Sequence, residues 1–259
     1  MKNSLIFQIP GSFETRALQT YAYQRDIETF RVSLENLSLY TEHLCAGHLP
    51  VGSVEFVREA MRLAGIAEPE TMSYPDALLT NWAHRAISLI DKRSLPGSGA
   101  WFIKPAGGVK LFDGFIRGIP LDNEEENRHR QEQEALLAAL PDSAPLWISE
   151  PVKFVSECRY YVLENNILGW ARYDPDGADD APMPDTTQVQ QMIRDHHKGE
   201  ALQERPHLCA YSLDVGVLDN GQTALVEVND AWALGLYRGM TDIAGYLQML
   251  SSRWQQLKT

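Results

Sequence analysis

The sequence predicts a mixed α/β protein, α+β in detail, with more than one lobe. Three observations lead there. Strand-like apolar runs and helix-like amphipathic runs are interspersed along the chain. Two Asn-containing turns, Asn220-Gly221 and Asn165-Asn166, each join a pair of β-branched runs as a hairpin would. The length of 259 residues is near the upper size for one hydrophobic core.

The first strand is expected at Leu5 to Ile9, stopped by Pro10-Gly11, and an extended stretch at Thr29 to Leu34. Ser53 is the expected N-cap of a helix over 54–64, with Gly65 just past its end. Ala77 to Leu89 reads as helix, and Leu95 to Gly99 as a turn-rich break. Strands follow at Trp101 to Lys104 and Asp113 to Arg117. A charged helix runs from Asn123 to Leu140, its Glu124-Glu125-Glu126 suited to the positive end of the helix dipole. Leu146 to Ser149 is a strand ended by Glu150-Pro151. Glu157 to Leu163 and Ile167 to Tyr173 form one hairpin, Thr186 to His196 a helix, Tyr211 to Asp230 the second hairpin. Thr241 to Leu257 is the last helix. The expected lobes are 1–95, 96–150 and 151–259.

Hydrophobic content of 44% and charged content of 22% are ordinary for a globular protein. The net charge of -12 disfavours sequence-independent binding of nucleic acid, which needs a basic face. A local nucleotide site stays open, because a few Lys and Arg suffice. The three cysteines, Cys45, Cys158 and Cys209, fit neither a metal motif nor a disulfide framework. They suit a reducing compartment. With no signal peptide and no apolar run long enough for a bilayer, a cytoplasmic protein without membrane contact is expected.

The chemistry concentrates in the second hairpin. If Asn220-Gly221 is a two-residue loop, Asp214 lies opposite Glu227 and Ser212 opposite Asn229. Asp214, Glu227 and Asn229 then share a face. Opposed carboxylates there repel unless a cation or a shared proton joins them. Oxygen ligands of this kind suit Mg²⁺ completed by phosphates. The alternative is a pair of solvated carboxylates. A three-residue loop would break the match.

Other groups carry weaker signals. Lys104, ahead of Ala106-Gly107-Gly108 and Lys110, is either a phosphate cradle or a strand-end lysine facing water. Glu150-Pro151-Val152 is either a hinge that receives a purine or an ordinary strand end. A two-residue loop at Asn165-Asn166 sets Tyr161 against Trp170 and Arg159 against Arg172. Glu157 on that face either links the arginines or shares an anion site with them. Arg194, His196, His197 and Lys198 read as a solvated helix end, without the spacing of a helical metal motif. Cys158 reads as core.

In order, these pieces resemble the ATP-grasp superfamily: Lys104-Pro105, Glu150 to Val152, Glu157-Cys158-Arg159, Asp214, and Glu227-Val228-Asn229. Leu49 to Val57, Phe112 to Phe115 and Trp232 to Tyr237 look like its R2K clade. The resemblance covers roughly 47–240. It implies two α+β lobes sandwiching ATP, preceded by a small pre-ATP-grasp lobe. It also implies an ADP-forming carboxylate–amine ligase acting through an acyl phosphate, with ATP and Mg²⁺. The partner would be a small-molecule or peptide substrate with a carboxylate and an amine. By resemblance Lys104 contacts the α/β-phosphates, with Lys92 or Lys110 as the second phosphate lysine. Glu150 and Val152 frame adenine and ribose. Glu157 belongs to the nucleotide site, and Arg159 touches the γ-phosphate or acyl phosphate. Asp214, Glu227 and Asn229 hold Mg²⁺. Tyr211-Ser212-Leu213 stands where many of these ligases have an arginine, and Lys153, Arg172, Arg194 or Lys198 is the expected substitute. Trp232 and Tyr237 are better substrate contacts than Phe13, Tyr21, Tyr23 or Trp82. A phosphotransferase on the same fold and a non-catalytic nucleotide-binding protein are the rival readings.

Overall fold

Three sheets organise the chain. The computed structural model describes residues 4–70, 73–107, 111–121, 123–174, 180–203 and 207–259. Lys110 of the expected phosphate cradle lies outside the described residues.

The first lobe contains β1 (Leu5–Gln8), α1 (Phe13–Gln24), β2 (Thr29–Val32), α2 (Thr41–Cys45), β3 (Leu49–Val51) and α3 (Val54–Ala64). Its sheet has the order β2-β1-β3, both pairings parallel. Parallel neighbours need crossovers, which the intervening helices supply. The α3 helix starts where Ser53 Oγ accepts the Phe56 amide at 3.3 Å and ends at Gly65, whose φ of 71° any Cβ would disfavour.

Next come α4 (Asp76–Trp82), β4 (Ile87–Asp91), β5 (Trp101–Pro105), β6 (Phe115–Arg117), α5 (Glu124–Ala139) and β7 (Pro145–Ser149). The second sheet runs β4-β7-β5-β6, antiparallel throughout. The single helix expected over 77–89 is corrected here to α4 and β4. His84 takes a left-handed φ of 51° between them, and Ile87 to Asp91 pairs with β7. A short apolar run suits either element, and pairing with an open sheet edge decides it. This sheet therefore draws β4 from before position 95.

The third lobe has β8 (Phe154–Leu163), β9 (Asn166–Arg172), α6 (Thr186–Leu202), β10 (Ala210–Leu218), β11 (Thr223–Asp230) and α7 (Ile243–Leu257). Its antiparallel sheet runs β11-β10-β8-β9. One face packs Tyr160, Val162, Leu213 and Val215 against Val189, Met192 and Ile193 of α6. Trp82 Nε1 donates to Asp195 Oδ2 at 2.9 Å and ties α4 to α6. The other face shares a core with the first lobe: Leu5, Ile6 and Phe7 lie in one cluster with Tyr161, Tyr246, Met249 and Trp254. The α6 helix runs past His196 to Leu202, and His196 is buried rather than solvated. Among the described residues no helix is long and apolar enough to cross a membrane.

Candidate active site

The third sheet places Asp214 in a row across three strands. Its partner on β11 is Glu227 and its partner on β8 is Arg159. The loop that sets this row is longer than the sequence suggested. Leu218 N donates to Gln222 O at 2.8 Å, so Asp219, Asn220 and Gly221 all lie in the turn, with Gly221 at φ 85°. This is the three-residue hairpin with a glycine in the left-handed position. Such a loop alone shifts the register by one. A bulge restores it: Val215 faces Leu225 while Asp214 faces Glu227, leaving Val226 as the extra residue.

The other hairpin departs from expectation. Its turn is Glu164-Asn165, both at positive φ (48° and 65°), and a bulge falls between Tyr161 and Val162. Arg159 therefore opposes Ala171, not Arg172, and Tyr161 opposes Gly169, not Trp170. The expected arginine pair does not exist. Arg172 instead pairs with Asp174 at 2.6 Å.

Arg159 grips Asp214 with two bonds, Nε to Oδ1 at 2.8 Å and Nη2 to Oδ2 at 2.6 Å. Asn229 Nδ2 bridges the carboxylates, 3.2 Å from Asp214 Oδ2 and 3.0 Å from Glu227 Oε1. From the second sheet Lys104 Nζ reaches Glu227 Oε2 at 2.6 Å and lies 4.4 Å from the Tyr74 ring centre. Tyr237 and Tyr173 stack at 5.0 Å, with the Arg159 guanidinium 4.8 Å from the Tyr237 ring centre. Tyr173 donates its hydroxyl to Glu157 Oε2 at 2.8 Å. A cleft of about 530 Å³ opens beside this network, lined by Lys104, Arg159, Glu227, Asn229, Trp232 and Gly107 among others. Asp214 lies beneath its floor, 1% exposed.

Burial dominates the electrostatics. It pushes the Asp214 carboxyl above the usual range, against the pull of Arg159. Burial also opposes the Arg159 charge, but Asp214 at its side more than offsets this and holds it above its ordinary value. Glu157 is raised by burial, with Tyr173 pulling it down and Asp214 adding repulsion. Burial disfavours the charges of both Lys104 and Glu227. Their mutual attraction prevails, so the lysine is raised and the carboxyl lowered.

The donor set fits a hard divalent cation. Two carboxylates already converge on one partially positive NH₂ group, and the Asn229 amide offers an oxygen from the same position.

Lys104, Arg159, Asp214, Glu227 and Asn229 are thus brought together. Glu150, Val152 and Glu157 are not among the residues lining the cleft. Glu150 is exposed and accepts the Ala86 amide at 3.2 Å. Lys92 is occupied at the end of α5, donating to the Ala138 carbonyl at 2.8 Å. Of the expected substitutes for the missing arginine, Lys153, Arg194 and Lys198 are exposed, and Arg172 holds Asp174. The cation beside Asp214 is Arg159 itself, from the neighbouring strand. Trp82 is engaged with Asp195, whereas Trp232 and Tyr237 face the site. Sequence reasoning missed Tyr74 and Tyr173. Tyr173 had a signal, because it directly follows the strand that ends at Arg172; Tyr74 sits in a loop and had none.

Two antiparallel sheets, one bringing Lys104 to the Asp214, Glu227 and Asn229 row of the other, keep together the residues on which the sequence resembles an ATP-grasp domain. The chain belongs to the ATP-grasp domain, R2K clade family 3, whose family model matches residues 45–257. No curated protein is matched in sequence. Among solved structures, D-cycloserine synthetase DcsG is similar over 97% of this chain and 99% of its own, with TM-score 0.59 and 13% identity. The ADP complex of purK, N5-carboxyaminoimidazole ribonucleotide synthetase, is similar over 97% of this chain and 77% of its own, with TM-score 0.56 and 8% identity. At such identities the likeness is one of fold.

Proposed function

We propose that the chain is an ATP-dependent, ADP-forming carboxylate–amine ligase. The observation that carries this reading is the row Arg159–Asp214–Glu227, capped by Asn229 and faced by Lys104 from the opposite sheet. Mg²⁺ would be held by Asp214, Glu227 and Asn229, and when bound it neutralises charge on the β- and γ-phosphates. Lys104 would exchange Glu227 for a phosphate, its tether reaching both from one strand. Arg159, fixed by Asp214, keeps a permanent positive charge at the cleft floor for the transferred phosphoryl group. Glu150 and Val152, on the connection between β7 and β8, are assigned to adenine and ribose. Glu157 belongs to the nucleotide end, and Lys110 is the second phosphate lysine.

In the first step a substrate carboxylate oxygen attacks the γ-phosphorus and ADP departs. In the second, an amine attacks the acyl carbon, phosphate leaves with the bonding pair, and the nitrogen loses a proton. The residues above supply position and charge rather than covalent chemistry. The substrates are a carboxylate and an amine, each a small molecule or part of a peptide. Exposed Glu70 at the cleft suits the ammonium form of the amine, which must give up one proton before it attacks, and Trp232 its apolar part, while Glu68 is held by Arg58 at 2.7 Å.

Calorimetry of ATP with and without Mg²⁺, on the wild type and on Glu227→Ala, tests the site. Metal-dependent binding abolished by the substitution is expected; no binding in any condition rejects the reading. Release of free phosphate alongside ADP, in mixtures of acids and amines, identifies a ligase. ADP without phosphate identifies a phosphotransferase instead.

A further inference from the structure

We infer a second metal site, for a zinc-like transition ion, formed by His197, Glu200 and His207. It lies on the α6-covered face of the third sheet and does not depend on the function proposed for the cleft. His197 and Glu200 sit one turn apart on α6. His207 belongs to the segment that leads into β10.

The spacing is that of ligands around one ion. His197 Nδ1 and His207 Nδ1 are 3.0 Å apart. His207 Nδ1 is 3.1 Å from Glu200 Oε2, and His197 Nδ1 is 3.9 Å from the same oxygen. An ion equidistant from three atoms so placed stands about 2 Å from each, the length of a zinc–nitrogen or zinc–oxygen bond. Without an ion, three lone-pair-bearing atoms face one another and only a ring proton separates them.

The surroundings are those of a built site. The Glu200 side chain is 5% exposed, and a buried carboxylate calls for a positive partner. Its Oε1 is occupied by the Leu208 amide at 3.1 Å, which leaves Oε2 for the shared point. His207 turns its other nitrogen, Nε2, to Glu164 Oε2 at 3.4 Å. That is the outer carboxylate that commonly orients a metal-bound imidazole. The side chains of His197 and His207 are 45% and 30% exposed, so an ion can enter from solvent and keep a water ligand. Two imidazoles and one carboxylate suit Zn²⁺, while Mg²⁺ prefers oxygen alone. The ion would fasten the end of α6 to the start of β10, behind the sheet that carries Asp214.

The test is a titration of the metal-stripped full chain with Co²⁺, followed by Zn²⁺. Expected are visible absorption bands of four-coordinate cobalt at one equivalent, bleached by Zn²⁺, with a higher melting temperature in Zn²⁺. His207→Ala and the half-exposed His197→Ala should each weaken Zn²⁺ binding by about 10–100-fold or more. Glu227→Ala should leave it unchanged. The inference is overturned if no bands appear and Zn²⁺ does not bind. It is equally overturned if both histidine variants bind as the wild type does, or if Glu227→Ala removes the bands and so places the ion in the cleft.

Discussion

The two faces of the third sheet are both buried, but by different means. The face toward α6 is filled by Leu213, Val215, Tyr160 and Val162, which need only shape and volume. The face toward the cleft holds Arg159 and Asp214, at 8% and 1% exposure, and survives only because each charge has its partner. The apolar face stabilises the sheet for any sequence of similar volume. The polar face carries a desolvation cost that the rest of the fold must offset. Successive residues of one strand, Leu213 and Asp214, thus belong to two different physical regimes.

Substitutions in adjacent positions measure the difference. The largest loss is expected from Asp214→Ala, about 3–5 kcal/mol in urea denaturation, because it strands a buried guanidinium. Removing both charges, as Asp214→Leu with Arg159→Met, should cost clearly less. If the single change costs under about 1 kcal/mol, the polar face is wetter than its burial indicates. Lys104→Met should lower ATP-dependent turnover by about 10²–10³-fold, in the range of a lost transition-state donor, and should lower the melting temperature less than Asp214→Ala does, because the Glu227 it leaves unpaired is more exposed. Equal turnover would remove Lys104 from the site. Leu213→Ala should cost about 3 kcal/mol of stability as a cavity, with ATP affinity unchanged in the folded protein. A matching drop in affinity would mean that the two faces are coupled.

The smallest effect concerns the thiols. Burial pushes Cys158 and Cys209 up to about 11, and Cys45 is exposed. A raised pKa means the folded state keeps its proton to higher pH than the unfolded chain does. The resulting stability is complete below the ordinary thiol value of 9.0 and is lost as the pH rises through about 11. Alkylation of the native chain near neutral pH should therefore modify Cys45 alone, and Cys158→Ala with Cys209→Ala should flatten the alkaline loss of stability. Rapid native labelling of Cys158 would contradict its burial.

The comparison also separates what the sequence made legible from what it did not. The Asp214–Glu227 match follows from alternation and a hairpin signal, and it holds. It holds, however, because a bulge at Val226 cancels the extra residue in the loop, and no local signal announces that bulge. The other hairpin has a bulge as well, with its turn one residue earlier than expected, and there the arginine pairing fails. Turn chemistry locates a hairpin to within a residue, whereas a period of two makes a single residue decisive. The link between Asp214 and Arg159 joins strands that are not consecutive in the chain, so it emerges only with the sheet order β11-β10-β8-β9. The His197–Glu200–His207 group was hidden for the same reason. Reading α6 alone shows two adjacent histidines with no metal spacing, whereas the group joins His197 and Glu200 of α6 to His207 on the segment before β10. The Ser53 cap and Gly65 stop, by contrast, are local, and the helix they bound is where they put it.

The core shared by the first strand and the last helix bears on how the chain is made. Leu5, Ile6 and Phe7 are completely buried in one cluster with Tyr246, Met249 and Trp254. A ribosome delivers the first sheet well before the helix that shares its core. The first sheet should therefore wait, with one wall open, until α7 has been made. Nascent chains stalled before Ile243 should expose that sheet to protease, and chains released with α7 complete should protect it. Chaperone dependence of this protein would then be set by the time between those two moments rather than by its final stability.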